Sequence, residues 1–208
     1  MRSPSTRRLL RETVAEGSEP VVAFQGERGA YADLAIERVW GARVRHLTCP
    51  DFDSVVSALL SGDACYGVLP VRNAIIGDIP GVAEAMARAS LTVQLHVVVP
   101  VVHCLLAAPG ATLEGLRCVL SHPAALGQCR AFFADRPWLT AVPSYDTAGA
   151  ARAVAARNQP WDGAIASEQC AARYGLQVLA REVGDRTGNN TQFAVLTLGT
   201  SRTLAPEA

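Results

Sequence analysis

This chain of 208 residues has no lysine; its basic side chains are arginine and histidine. Lysine Schiff-base chemistry and the phosphate-gripping lysine of a P-loop are therefore excluded. Net charge is lacking too, since 19 basic residues balance 19 acidic ones. Without a basic excess there is no electrostatic footprint for nucleic acid or an anionic membrane surface. The six cysteines (Cys49, Cys65, Cys104, Cys118, Cys129, Cys170) contain no C-x-x-C pair. Scattered through apolar runs, they read as buried thiols in a reducing compartment, not a disulfide framework. The four histidines (His46, His96, His103, His122) lack metal-ligand spacing, so no metal site is expected. The longest apolar run, Leu91 to Pro109, is broken by Gln94, His96, Pro100 and His103. It reads as two strands, not a membrane span. Residues 1–20 carry Arg2, Arg7, Arg8 and Arg11 without a secretory apolar core. They read as a tail, and a cytoplasmic location is expected.

What is present is 50% hydrophobic, enough for one soluble domain or two small lobes with a shared core. Val21–Gln25 is β-rich and runs through Gly26-Glu27-Arg28-Gly29-Ala30-Tyr31 into an amphipathic helix. Such a turn offers backbone N–H groups to an anion, but G-x-x-G is not a nucleotide fingerprint. Residues 44–49 form a second strand, and Asp51 caps a helix that stops at Gly62. Residues 65–70 form a third strand closed by Pro70, with Arg72 and Asn73 just beyond it, where α/β folds place ligand groups. A helix over 80–88, strands over 92–99 and 101–107, and a strand over 116–120 follow. Ser121 can cap the next helix, with Pro123 in its first turn and His122 as a candidate base. Strands over 139–142 and 161–167 flank a helix beginning near Thr147. Ser167 leads into the helix Glu168–Tyr174, then a strand over 176–183. Last comes Gly188-Asn189-Asn190-Thr191-Gln192-Phe193, a tight turn that leaves one hydroxyl at the mouth of the strand Ala194–Leu198. Continuous strand–helix alternation argues α/β, and no composition shift marks a boundary. Two lobes must therefore interleave: 21–78 with 164–198, and 79–163, between tails at 1–20 and 199–208.

Several ordered segments resemble the prephenate dehydratase family: F-Q-G-E-R-G-A-Y-A, G-V-L-P-V-R-N-A-I-I-G-D-I, S-H-P-A-A-L-G-Q-C, D-T-A-G-A-A, A-I-A-S-E-Q-C-A-A-R-Y-G-L and N-N-T-Q-F. The resemblance spans Val21 to Leu198. It implies two α/β lobes like a periplasmic-binding-protein type II pair, with the active site in the cleft between them. It implies a cofactor-free decarboxylation and dehydration of prephenate to phenylpyruvate, in aromatic amino acid or related secondary metabolism. The substrate carries two carboxylates, and the family's core usually forms a homodimer. By position, Thr191 and Asn73 take the catalytic places. Gly29, Ala30, Tyr31, Arg72, Ala74, Ser121, His122, Gln128, Thr147, Ala166, Ser167, Asn190, Gln192 and Phe193 take the substrate-binding places. The chemistry needs charge anchors and one positioned O–H donor for the departing hydroxide, not a metal.

The departures from the family pattern are specific. Gln192 replaces the arginine of the T-R-F motif, and Arg72 replaces a glutamate. Ala74 and Ala30 replace hydroxyl residues, and Ala124 replaces a glutamine. One expectation is charge relocation, with Arg72 supplying the cation that Gln192 no longer does. The chain has only 199–208 after the last strand, where family members continue into a regulatory ACT domain, so phenylalanine feedback is not expected. The alternative readings are a non-aromatising prephenate decarboxylase, a dehydratase for arogenate or a prephenate analogue, and a small-carboxylate binding protein without turnover.

Overall fold

The computed structural model describes residues 19–199. Most of the two expected tails lies outside the described residues. In chain order the elements are β1 (Val21–Gln25), α1 (Tyr31–Trp40), β2 (Arg45–Cys49), α2 (Phe52–Ser61), β3 (Tyr66–Asn73), β4 (Gly77–Asp78), α3 (Val82–Ala87), β5 (Leu91–Pro100), β6 (Cys104–Ala107), β7 (Cys118–Ser121), α4 (Pro123–Leu126), α5 (Arg130–Ala134), β8 (Thr140–Pro143), α6 (Thr147–Arg157), β9 (Asp162–Ala166), α7 (Glu168–Tyr174), β10 (Gln177–Ala180) and β11 (Asn190–Leu198). They build two mixed sheets, so the α/β expectation holds. The first has the order β2-β1-β3-β11-β5 with β4 added to β3; the second has the order β10-β6-β9-β7-β8.

The first sheet begins as two parallel units, β1-α1-β2 and β2-α2-β3, the connection type that buries both sheet faces under helices. Phe24, Val68, Val97 and Phe193 pack under α1 through Ile36, Val39 and Trp40. Ala23, Leu69, Ala194 and Leu196 pack under α2 through Val55 and Leu59. Each large side chain fully buried there contributes roughly 1.5–3 kcal/mol. As expected, Asp51 caps α2, accepting from Ser54 N at 2.7 Å, and Gly62 ends it at φ 81°. The second sheet is sandwiched in the same way. Ala148, Ala150 and Ala151 of α6 lie on Ala164 and Ala166 of β9, small side chains that bring the helix close to the sheet.

The lobes interleave, but not at the expected boundaries. The expected boundaries put β5 in the second lobe and α7 and β10 in the first; instead β5 completes the first sheet beside β11, and β9, α7 and β10 belong to the second lobe. The first lobe is thus Val21–Pro100 with Asn190–Leu198. The physical reason is pairing: β11 is antiparallel to both β3 and β5, with Pro100 opposite Asn190. The chain crosses between lobes twice, over 101–103 and 181–189. The two crossings run side by side, with Val101 N donating to Asn189 O at 3.0 Å and Val183 N to His103 O at 2.9 Å.

The glycine-rich turn after β1 fastens the lobes together. Ser167 Oγ donates to Gly29 O at 2.7 Å, and Tyr174 OH donates to Arg28 O. A Cβ on Gly29 (φ 92°) would stand 2.9 Å from Cys170 Sγ, so only glycine allows this approach. Glu27 N donates to Asp146 Oδ2 at 3.1 Å, Tyr145 OH donates to Glu27 Oε1 at 2.9 Å, and Arg152 pairs with Glu27 at 3.0 Å. Beneath the turn, the buried Asp33 accepts from Gly29 N at 2.7 Å and faces Arg28 at 3.0 Å and His46 Nδ1 at 2.6 Å. Burial alone would raise the Asp33 pKa, but the hydrogen bonds from His46 and Gly29 and the charge of Arg28 hold it below the usual carboxylate value.

The thiols are free, and Cys49, Cys104, Cys129 and Cys170 are buried as expected. Burial pushes Cys129 up to about 12 and Cys170 to about 11, which leaves them unreactive thiols. Cys65 and Cys118 depart from the expectation, Cys65 being exposed and Cys118 only half-buried.

Candidate active site

Thr191 and Asn73 sit opposite each other where β11 begins and β3 ends. Asn73 Nδ2 donates to Thr191 Oγ1 at 2.8 Å. The same nitrogen lies 2.9 Å from Asn189 Oδ1 and 3.1 Å from Asn190 O. Its oxygen accepts from Ile75 N at 2.9 Å and Ile76 N at 3.2 Å, an Asx turn that locks the side chain. Both Asn73 and Thr191 are buried. Thr191 Oγ1 accepts from Asn73 and, among the described residues, donates to nothing, so its proton is uncommitted.

A β-bulge creates this encounter. β3 does not stop at Pro70 but continues to Asn73. Pro70, which has no N–H to give, stands opposite Phe193 where the pairing with β11 shifts by one residue. Below the bulge, Val68 and its partner Val195 face α1. Uninterrupted alternation from Val68 would put Arg72 on that face. The extra residue, Val71, turns Asn73 onto it instead, together with Thr191. Arg72 lies exposed and pairs with Asp78 at 3.3 Å. Gln192 alternates with Ala194 and Leu196 onto the α2 face. The expected charge relocation from Gln192 to Arg72 is therefore overturned: neither residue shares a face with Thr191.

From Asn73 a hydrogen-bonded chain crosses to the second lobe. Asn189 Nδ2 donates to Gln128 Oε1 at 2.8 Å, and Gln128 Oε1 is 3.0 Å from His103 Nε2. An oxygen that already accepts from Asn189 also accepts from His103, so the network places the imidazole proton on Nε2. His103 Nδ1 lies 3.3 Å from the Tyr31 hydroxyl, which donates to Val102 O at 2.8 Å. Burial lowers the His103 pKa and raises that of Tyr31, so both stay neutral near pH 7. The chain from Thr191 to Tyr31 thus ties β3, β11, the crossings and α1 into one polar array without a formal charge.

Beside this array opens a cavity of about 540 Å³. Asn189, Gln128 and His103 contribute to its wall, with Ile75, Val101 and Val102 as apolar neighbours. Arg130, Arg186, Glu182 and Asp185 add charge. Asp185 is spoken for: its carboxylate accepts from Arg130 N and Ala131 N, each at 2.9 Å, at the start of α5. A small polar-headed molecule fits a space of this size and lining.

The prephenate dehydratase family model matches residues 22–200. The chain belongs to the prephenate dehydratase family. Arogenate dehydratase/prephenate dehydratase 2 of Arabidopsis thaliana, a chloroplastic enzyme, is 37% identical over 193 residues, covering 93% of this chain and 50% of that protein. A bifunctional N-acyl-homoserine lactone acylase/prephenate dehydratase of Komagataeibacter europaeus is 35% identical over 180 residues, covering 85% of this chain and 62% of the relative. Among solved structures, the prephenate dehydratase of Arthrobacter aurescens in complex with L-Phe superposes with a TM-score of 0.79 at 26% identity, over 90% of this chain and 62% of that one. The chain spans about half the length of the Arabidopsis relative.

Set against this prephenate dehydratase family frame, the expected site residues divide. Thr191, Asn73, Gln128 and Tyr31 come together in the array. Gly29, Ala30 and Ser167 form the inter-lobe contact beside it; Ala30 packs into the second lobe's core under α6 and α7. Thr147 opens α6, but the cap is Asp146, which accepts from Gly149 N at 3.1 Å. Ala74 is exposed and contributes its N–H to Asn190 O at 2.9 Å. Other expected residues are placed elsewhere. Ser121 does not cap α4; it is fully buried and donates to Ile165 O at 2.6 Å. The cap is His122, whose Nδ1 accepts from Ala124 N, which occupies the nitrogen a base would use. Ala166 is a buried strand residue of β9. Phe193 is buried under α1. Asn190 turns its amide back to Gly188 O, and its neighbour Asn189 points into the site instead. Asn189, His103 and Asp146 are not among the residues expected from sequence. Strand alternation from Thr191 marks Asn189 as sharing its face; His103 carried no local signal, because its partners are distant in sequence.

Proposed function

We propose that the protein removes carbon dioxide and water from prephenate, giving phenylpyruvate, with Thr191 as proton donor. The observation that carries this reading is the Thr191 hydroxyl, fixed by Asn73 and with its own proton uncommitted. As the carboxylate on the quaternary ring carbon leaves as carbon dioxide, its bonding electrons enter the ring and expel the hydroxyl from the opposite carbon. The departing oxygen takes a proton from Thr191 and leaves as water, and a solvent proton restores the threonine. The Asn73 N–H stabilises negative charge growing on Oγ1. Aromatisation supplies the driving force, so orientation and one donor are what this site must provide. A donor held in this way argues against the non-aromatising outcome, in which the ring hydroxyl is kept.

A second substrate, arogenate, is favoured by Glu182. It lies on the cavity wall and has no cationic partner among the described residues, so it can meet the ammonium that arogenate carries in place of a keto group. Parallel assays with both compounds, following aromatic product by absorbance and mass, separate the two. Thr191→Val should lower kcat about 10²–10⁴-fold. Undiminished turnover would remove Thr191 from its assigned role.

A further inference from the structure

We propose that Arg130 and Arg186 form a two-guanidinium anchor for the carboxylate that the substrate keeps. This assignment rests on the dehydratase reading above. Both residues line the cavity beside Asn189 and Gln128. Five other arginines are engaged by carboxylates: Arg28 and Arg173 on Asp33, Arg152 on Glu27, Arg157 on Asp162, Arg181 on Glu168. The guanidinium groups of Arg130 and Arg186 have no partner among the described residues. The acid nearest them in sequence, Asp185, has both oxygens turned to the backbone of α5 and is not available to neutralise them.

The reaction dictates which carboxylate they should hold. The ring carboxylate must lose its charge to become carbon dioxide, and a cation on it would stabilise the ground state against the transition state. The side-chain carboxylate keeps its charge throughout, so binding energy spent there orients the ring without opposing chemistry. Paired planar guanidiniums suit this task, since each offers a two-pronged donor face to a carboxylate. Ile75, Val101 and Val102 provide an apolar region where the other carboxylate can be desolvated. The cation missing at Gln192 is thus made good on the wall of the cavity and not across β3.

Two measurements test this. In steady-state kinetics with prephenate, Arg130→Gln and Arg186→Gln should each raise KM about tenfold and leave kcat within about twofold. Arg186→Lys should recover part of the affinity, because a point charge remains. Calorimetric titration of phenylpyruvate, which carries only the retained carboxylate, into the wild-type protein and both Gln variants reads the anchor without turnover. Weakening of about tenfold in each variant supports it. Equal affinity in all three proteins, no binding to the wild type, or unchanged KM in both variants overturns it. If phenylpyruvate binds through the arginines while prephenate is not turned over, the dehydratase reading falls and the anchor stands.

Discussion

Asn73 holds Thr191 by donating to it, so the direction of that one hydrogen bond decides what the hydroxyl can do. Asn73→Asp is nearly isosteric and reverses it. A carboxylate would accept the Thr191 proton and face Asn189 Oδ1 and Asn190 O with no hydrogen to offer. We expect kcat to fall about 10²–10³-fold, the loss typical of a single stabilising donor, with KM changed less. Steady-state assays on the folded variant check this; unchanged kcat would show that the donor direction is irrelevant. At this scale the sequence was only partly legible. Thr191 and Asn73 stood out because a hydroxyl and an amide bracket strand ends, and both are in the array. Arg72 and Gln192 stood out as substitutions, yet both face away, because a one-residue bulge at Pro70 reverses which side chains share a face. A bulge depends on pairing between strands more than 100 positions apart, and no local periodicity records it.

Helix ends show the same division. Asp51 and Gly62 are readable as cap and stop because capping is local chemistry. The cap of α6 is not, because Asp146 also holds Glu27 N of the other lobe. Burial raises its pKa, with the Glu27 charge adding to the effect, against the backbone hydrogen bonds that lower it. A carboxyl that binds its proton more tightly when folded favours the native state most at low pH. That contribution is lost as pH rises from the ordinary aspartate value of about 4 through Asp146's own higher one. Asp146→Asn cannot titrate. The stability difference between wild type and variant, measured by thermal melts from about pH 3 to pH 7, should therefore shift in the variant's favour with rising pH and then level off. A difference independent of pH would show that Asp146 titrates normally.

Across the whole molecule, the lobes meet at the glycine-rich turn, and Tyr145 is the most exposed part of that meeting. Its ring lies over Gly149, where a Cβ would come within 2.4 Å of the ring. Gly149→Ala should displace Tyr145 and break its bond to Glu27. Alanine improves the helix by about 1 kcal/mol, which offsets lost contacts, so overall stability should change little. The lobes should separate more readily, seen as a larger radius of gyration in small-angle scattering. An unchanged scattering profile would show that the other turn contacts suffice. The α/β class and the interleaving were legible because alternation of strand and helix runs unbroken. The lobe boundary was not, since the side on which β5 pairs is settled only by β11.

β5 and β11 are antiparallel neighbours whose adjoining ends, Pro100 and Asn190, face each other. Topologically they form a β-hairpin, and the whole second lobe occupies the place of its turn. The interior strand of the first sheet is thus among the last described segments to leave the ribosome. Until it arrives, β3 and β5 each present an unpaired edge. The second lobe, complete in sequence once Val183 and Asp185 have been made, precedes it. Closure of the hairpin, which completes the first lobe, also brings Thr191 to Asn73, so the proposed catalytic pair forms only when the fold is finished.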